Sequence, residues 1–194
     1  MTSCDDSYAG LSVGAFLDAL AAGTAAPAGG SAVALVLAQA AALCAKSARL
    51  SARQLTADRA AQVTTEAEQI RGTAASLIDE DPRAYHAVIE QRRRRRDSGG
   101  AAARTAELAA ALSDAADVPM LMIELALPLA SLAAVLARDG NPALRGDAIA
   151  AGLLARAAAR AAAALVSVNL AGMPADSRHA RADSLLAAID ERLT

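Results

Sequence analysis

Apolar positions recur every three or four residues through almost the whole chain, and the interruptions fall at glycine, proline and short charged runs. Ser12 followed by Val13, Phe16, Leu17 and Leu20 predicts a short capped helix that ends at Gly23. Pro27-Ala28-Gly29-Gly30-Ser31 then runs straight into an apolar segment with no charge until Lys46. Proline fixes φ, the glycines open backbone shapes closed to other residues, and Ser31 is placed to cap a helix from about Ala32 to about Leu50. From Ala57 the pattern Ala60, Val63, Ala67, Ile70, Ala74, Leu77, Ile78 predicts a long helix, until Asp79-Glu80-Asp81-Pro82. Acids suit a helix start and proline suits its first position, so a kink or a new helix carrying Tyr85, His86, Val88 and Ile89 is expected there.

Arg92 to Arg96 are five like charges in a row, read as a solvated helix end that Gly99-Gly100 then stops. A helix resumes at Ala101, bends at Val118-Pro119 into Met120 to Arg138, and meets a second proline at Pro128. Asp139-Gly140-Asn141-Pro142 is a turn signal. One further helix runs through Leu153, Leu154, Ala157 and Leu165 to Asn169, and an amphipathic one from about Ser177 to Leu193 closes the chain. The expectation is an all-α bundle of about five or six long, partly proline-kinked helices, with residues 1–10 as a flexible tail and 11–194 as a single domain.

Composition sharpens this picture. Hydrophobic residues make up 55% of the 194, yet aromatics only 2%, so the apolar content is chiefly alanine, the best helix former, and strand-seeding runs are nearly absent. A net charge of −2 gives no general pull toward nucleic acid or anionic membranes, and the arginine run lacks the aromatics that base stacking needs. The N-terminus carries Asp5 and Asp6 rather than a basic region, so no secretory signal is expected and the cytoplasm is the expected location. Glycines and prolines interrupt the most apolar stretches, which read as buried bundle helices rather than membrane spans. Cys44 lies within an apolar helix and reads as a small hydrophobe; with no Cys-x-x-Cys or His/Cys cluster, no metal site is expected.

Chemistry has few candidates. The glycine bend aims the free N–H groups of a helix start at whatever sits there, an anion or carbonyl site if it is more than a flexible start. Asp79, Glu80 and Asp81 place carboxylates at a break, Tyr85 follows Asp81 by four residues and shares its helical face, and Asp147 follows the Gly-Asn-Pro turn. By spacing alone each acid is a helix cap or a general acid or base. Asn169 is an amide in an apolar helix, which must bond and so either ties two helices or lines a cavity.

The order of these elements resembles the cyclodeaminase/cyclohydrolase family: the cyclodeaminase domain of formiminotransferase-cyclodeaminase and the stand-alone methenyltetrahydrofolate cyclohydrolases. The residues that carry the likeness are Ser12-Val13-Gly14-Ala15-Phe16-Leu17, Pro27-Ala28-Gly29-Gly30-Ser31-Ala32, Asp81 to Tyr85, Ala116 to Pro119, Gly140-Asn141-Pro142 with Asp147, and Asn169-Leu170. That resemblance implies an all-α homodimer that hydrolyses 5,10-methenyltetrahydrofolate or cyclises 5-formimidoyltetrahydrofolate with loss of ammonia. It implies acid/base proton transfer with no metal or other cofactor, the tetrahydrofolate derivative being the substrate. On the same footing Asp81, Tyr85 and Asp147 are the proton-transfer candidates, and Pro27, Gly29, Gly30, Ser31, Asn141 and Asn169 the substrate-binding ones. Arg92 to Arg96 would meet the carboxylates of a polyglutamylated folate. Three departures stand against the family pattern: Ala28 where a first glycine is usual, no lysine in Leu50 to Gln54, and the arginine run itself. They make a catalytically inactive dimeric paralogue, binding folate or a protein partner, the alternative reading.

Overall fold

The computed structural model describes residues 7–97 and 101–194, with residues 94–97 and 101–103 described by backbone alone. All regular structure among them is helical: α1 (Val13–Ala21), α2 (Gly29–Arg49), α3 (Ala57–Asp97), α4 (Ala101–Asp139), α5 (Arg145–Asn169) and α6 (Ser177–Arg192). Two 3-10 turns, Tyr8–Gly10 and Pro142–Leu144, join them.

Helix α2 is the spine. It packs on α3, α4 and α5, and its alanines Ala34, Ala38, Ala40, Ala41, Ala45 and Ala48 are buried along with Leu37 and Cys44. Side chains this small let neighbouring axes close in on several flanks at once, which is why an alanine-rich helix serves at the centre. The Cys44 thiol is buried there and burial pushes its pKa up to about 12, so it stays protonated and inert, as the hydrophobe reading expects. Three stretches, Gly29–Arg49, Arg104–Asp139 and Pro142–Asn169, are long and apolar enough to cross a membrane by length and composition; here they pack against one another around the common core.

Several boundaries differ from the sequence expectation. Helix α2 begins at Gly29, its N-cap is Ala28, and Ser31 is not a cap but lies buried inside the first turn. Ala28 has φ −134°, extended backbone in which an alanine costs nothing, so its place in the glycine bend carries no strain. Pro82 does not start a helix, since α3 runs through it, and α4 likewise runs through Pro119 and Pro128. Helix α1 has the expected Ser12 cap, the hydroxyl accepting from the Ala15 N–H at 3.2 Å, but of its apolar face only Phe16 is buried. Residues 1–6 of the expected tail lie outside the described residues. The rest of it is docked: Asp79 accepts from the Tyr8 N–H at 2.7 Å with one oxygen and from the Ser7 hydroxyl at 2.7 Å with the other.

Candidate active site

A proline inside a helix leaves the carbonyl four residues earlier without its N–H partner. For Pro82 that carbonyl belongs to Ile78, and the Ser31 hydroxyl donates to it at 2.8 Å. For Pro119 it belongs to Ala115, and Asn169 Nδ2 donates to it at 3.1 Å. At Pro82 and at Pro119, a polar side chain on a neighbouring helix thus supplies the donor that the proline removes. Of the two roles open to Asn169, the structure shows the helix tie.

The first of these junctions brings the glycine bend and the acidic cluster together. A Cβ built on Gly30 would overlap the Asp81 carboxylate, so the absence of a side chain at Gly30 is what lets Asp81 lie against the start of α2. Gly29 is less constrained, its Cβ meeting only Leu165 Cδ2 at 3.8 Å. The Asp81 carboxyl is half-buried and titrates above the usual carboxylate range. Desolvation is the larger cause, opposed by a hydrogen bond that the carboxylate accepts from the Ser31 backbone N–H. A carboxyl placed so can hold a proton nearer neutrality than a free aspartate, next to the donor end of a helix.

Tyr85 follows one turn later on α3. Arg92 Nη1 donates to its hydroxyl at 3.0 Å, and the guanidinium carbon sits 5.9 Å from the ring centroid. Asp81, Tyr85 and Arg92 share one stripe of α3, spanning ~16 Å from acid to guanidinium at 1.5 Å per residue. The side chains of Arg94, Arg95 and Arg96 lie outside the described residues.

Asp147 and Asn141 are elsewhere. Asp147 pairs with Lys46 Nζ at 2.6 Å at the far end of α2. Asn141 caps the 3-10 turn by accepting from the Ala143 N–H at 3.1 Å, while its own N–H donates to Ser51 Oγ at 2.9 Å and its Nδ2 to the Leu50 carbonyl at 3.0 Å. Arg49, Leu50, Ala52, Arg53, Gln54 and Asn141 line a cavity of about 380 Å³ beside them. Ser31 and Lys46 are ~22 Å apart along α2, so the acids named from the sequence fall into two groups at opposite ends of one helix. Sequence reasoning missed Lys46, the ion-pair partner of Asp147, and the cavity arginines Arg49 and Arg53. A basic residue three places apart at Lys46 and Arg49, on one helical face, was the available signal. Among the described residues no three of His, Cys, Asp and Glu are grouped so that they could hold a metal ion.

Comparison with known proteins matches residues 12–187 to the family model described as formiminotransferase-cyclodeaminase. The chain belongs to that family. It is 32% identical over 191 residues to the methenyltetrahydrofolate cyclohydrolase of Methylorubrum extorquens, covering 92% of this chain and 91% of that one. Its fold matches the crystal structure of formiminotetrahydrofolate cyclodeaminase from Thermotoga maritima with a TM-score of 0.79 at 24% identity, over 94% of this chain and 90% of that one. The all-α architecture of the family is thus present over nearly the full length, and the glycine bend and Asp81 lie within the matched segment.

Proposed function

We propose that the protein is a cytoplasmic, homodimeric folate enzyme that hydrolyses 5,10-methenyltetrahydrofolate, with the cyclisation of 5-formimidoyltetrahydrofolate as the second reaction of the same pocket. The observation that carries the reading is the Asp81 carboxyl, partly desolvated against a glycine at a helix start, in a chain similar over nine-tenths of its length to a protein named methenyltetrahydrofolate cyclohydrolase.

Both reactions pass through a tetrahedral carbon between the two folate nitrogens. In hydrolysis, a base takes a proton from the attacking water as its oxygen bonds to the bridging carbon, and the same group returns it to the nitrogen whose bond to that carbon breaks. The adduct's hydroxyl then loses its proton to leave the formyl group. In the cyclisation ammonia leaves instead. Neither needs a covalent nucleophile, electron transfer or metal, but each needs one group that changes protonation readily, and a pKa nearer the working pH serves that. Asp81 is the assigned shuttle. Gly29, exposed at the start of α2, meets the pteridine, the buried Gly30 and Ser31 act by seating Asp81, and Tyr85 orients the substrate from one turn along.

The Asp81–Tyr85–Arg92 stripe suits a molecule with a reactive head and an anionic tail. Guanidinium groups bind carboxylates well, which supports a polyglutamylated folate with its tail along the arginines. Replacing Arg92 to Arg96 by glutamine is expected to raise KM for a polyglutamylated substrate by tenfold or more while changing that for the monoglutamate by less than about twofold. Equal changes would remove the tail from the arginines.

The direct test is the ultraviolet absorbance of 5,10-methenyltetrahydrofolate, run beside ammonia release from 5-formimidoyltetrahydrofolate. Decay well above the buffer rate is the expected result. No turnover of either compound, with no folate binding by calorimetry, would overturn the reading and leave a helical protein of the same fold without folate chemistry.

A further inference from the structure

Leu108, Ala111 and Ala115 of α4 gather with Val88 and Tyr85 of α3 into a small apolar cluster of their own. Arg104 lies four residues before Leu108 and so on the same face of α4. The residue as a whole is half-buried, but its Nε and Nη1 are both buried and neither has a hydrogen-bond partner. A guanidinium stays charged at any working pH, so losing a proton cannot relieve it. Buried donors of a charged group that lack an acceptor are costly, and folded proteins seldom leave them so. Arg156 Nε is buried too, yet it lies 2.6 Å from the Asp190 carboxylate. Arg104 has no such acid: Glu107, one turn on, is exposed and bonds to neither buried nitrogen.

A second guanidinium stands opposite. Arg92 follows Val88 by four residues on the face of α3 turned to α4, and its Nη1 donates to the Tyr85 hydroxyl at 3.0 Å. Its other nitrogens make no hydrogen bond among the described residues. Helix α3 ends at Asp97, α4 begins at Ala101, and the two pack together, so they run antiparallel. Arg92 lies ~7.5 Å inside the end of α3 and Arg104 ~4.5 Å inside the start of α4, the same level to within one turn. Axes packed ~8–10 Å apart bring two such side chains within reach of one oxyanion. With nothing between them the two like charges repel, whereas an oxyanion accepts from both.

We infer that Arg104 and Arg92 form an anion seat between α3 and α4 for one carboxylate or phosphate group, with Arg104 as its buried donor and Arg92 as the donor on the solvent side. The Tyr85 ring, 5.9 Å from the Arg92 guanidinium carbon, steadies that outer donor. Two sources supply such a group: a tail carboxylate of the substrate proposed above, since the seat adjoins the Asp81–Tyr85–Arg92 stripe, or free phosphate. The seat stands on the buried guanidinium; only its use by the substrate rests on the folate reading. It also differs in kind from a solvated arginine run, because a desolvated donor is screened by salt far less than a surface charge.

Thermal melts at constant ionic strength test the seat. Inorganic phosphate or tri-γ-glutamate is expected to raise wild-type Tm saturably, by about 5–10 °C at about a hundredfold above half-saturation. Arg104→Met keeps an apolar stem and drops the charge. Without either anion it is expected to melt at least as high as wild type, and to respond to them by less than about 1 °C. Arg59→Gln, which removes a charge near the other end of α3, should respond as wild type does. No wild-type response to either anion, an undiminished response in Arg104→Met, or an Arg104→Met protein that melts well below wild type in their absence would overturn the seat. A response to tri-γ-glutamate, with KM for polyglutamylated 5,10-methenyltetrahydrofolate raised about tenfold in Arg104→Met and kcat within about twofold, assigns the seat to the substrate. A response to phosphate alone, with KM unchanged, assigns it to free phosphate. An Arg104-dependent shift in a protein that turns over neither folate would overturn the folate reading and leave the seat standing.

Discussion

Asp81→Asn is expected to lower kcat on 5,10-methenyltetrahydrofolate by about 10²–10⁴-fold, the usual contribution of a positioned general acid or base, while leaving the protein as stable as wild type or more so. Asparagine keeps an oxygen for the Ser31 N–H but cannot accept or return a proton at neutral pH. It also removes a charge whose desolvation raises the Asp81 pKa. A raised pKa means that the folded state binds more protons than the unfolded chain between the ordinary aspartate value and the raised one. The stability linked to Asp81 is therefore fully present below the ordinary value and is lost as pH rises through the raised one. Thermal melts from about pH 4 to about pH 8 should show wild-type Tm falling across that window relative to Asp81→Asn, with the variant melting higher at the neutral end. Unchanged kcat would take the proton shuttle away from Asp81. A variant that melts lower at neutral pH would show instead that the carboxylate is chiefly a cap for α2.

Gly30→Ala is expected to cost about 1–3 kcal/mol of stability, the range for forcing an extra carbon into a packed site, and to lower kcat/KM by about 10²-fold. The added Cβ has nowhere to go but into the Asp81 carboxylate. Either α2 and α3 separate at their junction, which also stretches the bond from the Ser31 hydroxyl to the Ile78 carbonyl, or Asp81 swings away from the helix start. A double-mutant cycle separates this contact from a general intolerance of alanine. In the Asp81→Gly background the same substitution meets no carboxylate, so its stability cost should largely vanish, with a coupling energy of about 1–3 kcal/mol read from denaturant melts. Gly29→Ala, whose Cβ meets only the end of Leu165, is the matched control and should be nearly neutral to stability. Full additivity of the Gly30 and Asp81 changes would mean that the two residues do not touch in solution.

How far the site was legible depends on which atoms are considered. Pro82 and Pro119 were visible in the sequence, and from them the carbonyls of Ile78 and Ala115 could be named as lacking a partner. That they lie within unbroken helices could not, because a proline inside a helix removes a hydrogen bond and usually kinks or ends it. Ser31 and Asn169 supply the missing donors from helices remote in sequence. For the same reason Ser31 reads as a cap: serine before an apolar run is the usual cap signature, and only the position of α3 shows that its hydroxyl is used on another helix. Asp79 was one of three adjacent acids without distinction. The structure gives it to the Tyr8 turn and leaves Asp81 for the glycine bend, a separation made by the 100° step between successive residues on α3.

What the sequence determined by itself was the helical class, the order of the helices and the resemblance to the family. The class and the order of helices rest on local quantities, alanine propensity, apolar periodicity and breaker residues, each of which acts within a few positions of itself. The family rests on the resemblance carried by the ordered motifs from Ser12 to Leu170. The tertiary structure decided which acid meets the glycine bend, and that Asp147 stands with Lys46 at the other end of α2 rather than beside Asp81. Such meetings depend on how long antiparallel helices are set in register. Register is fixed by the summed packing of many small side chains, and no single residue announces it.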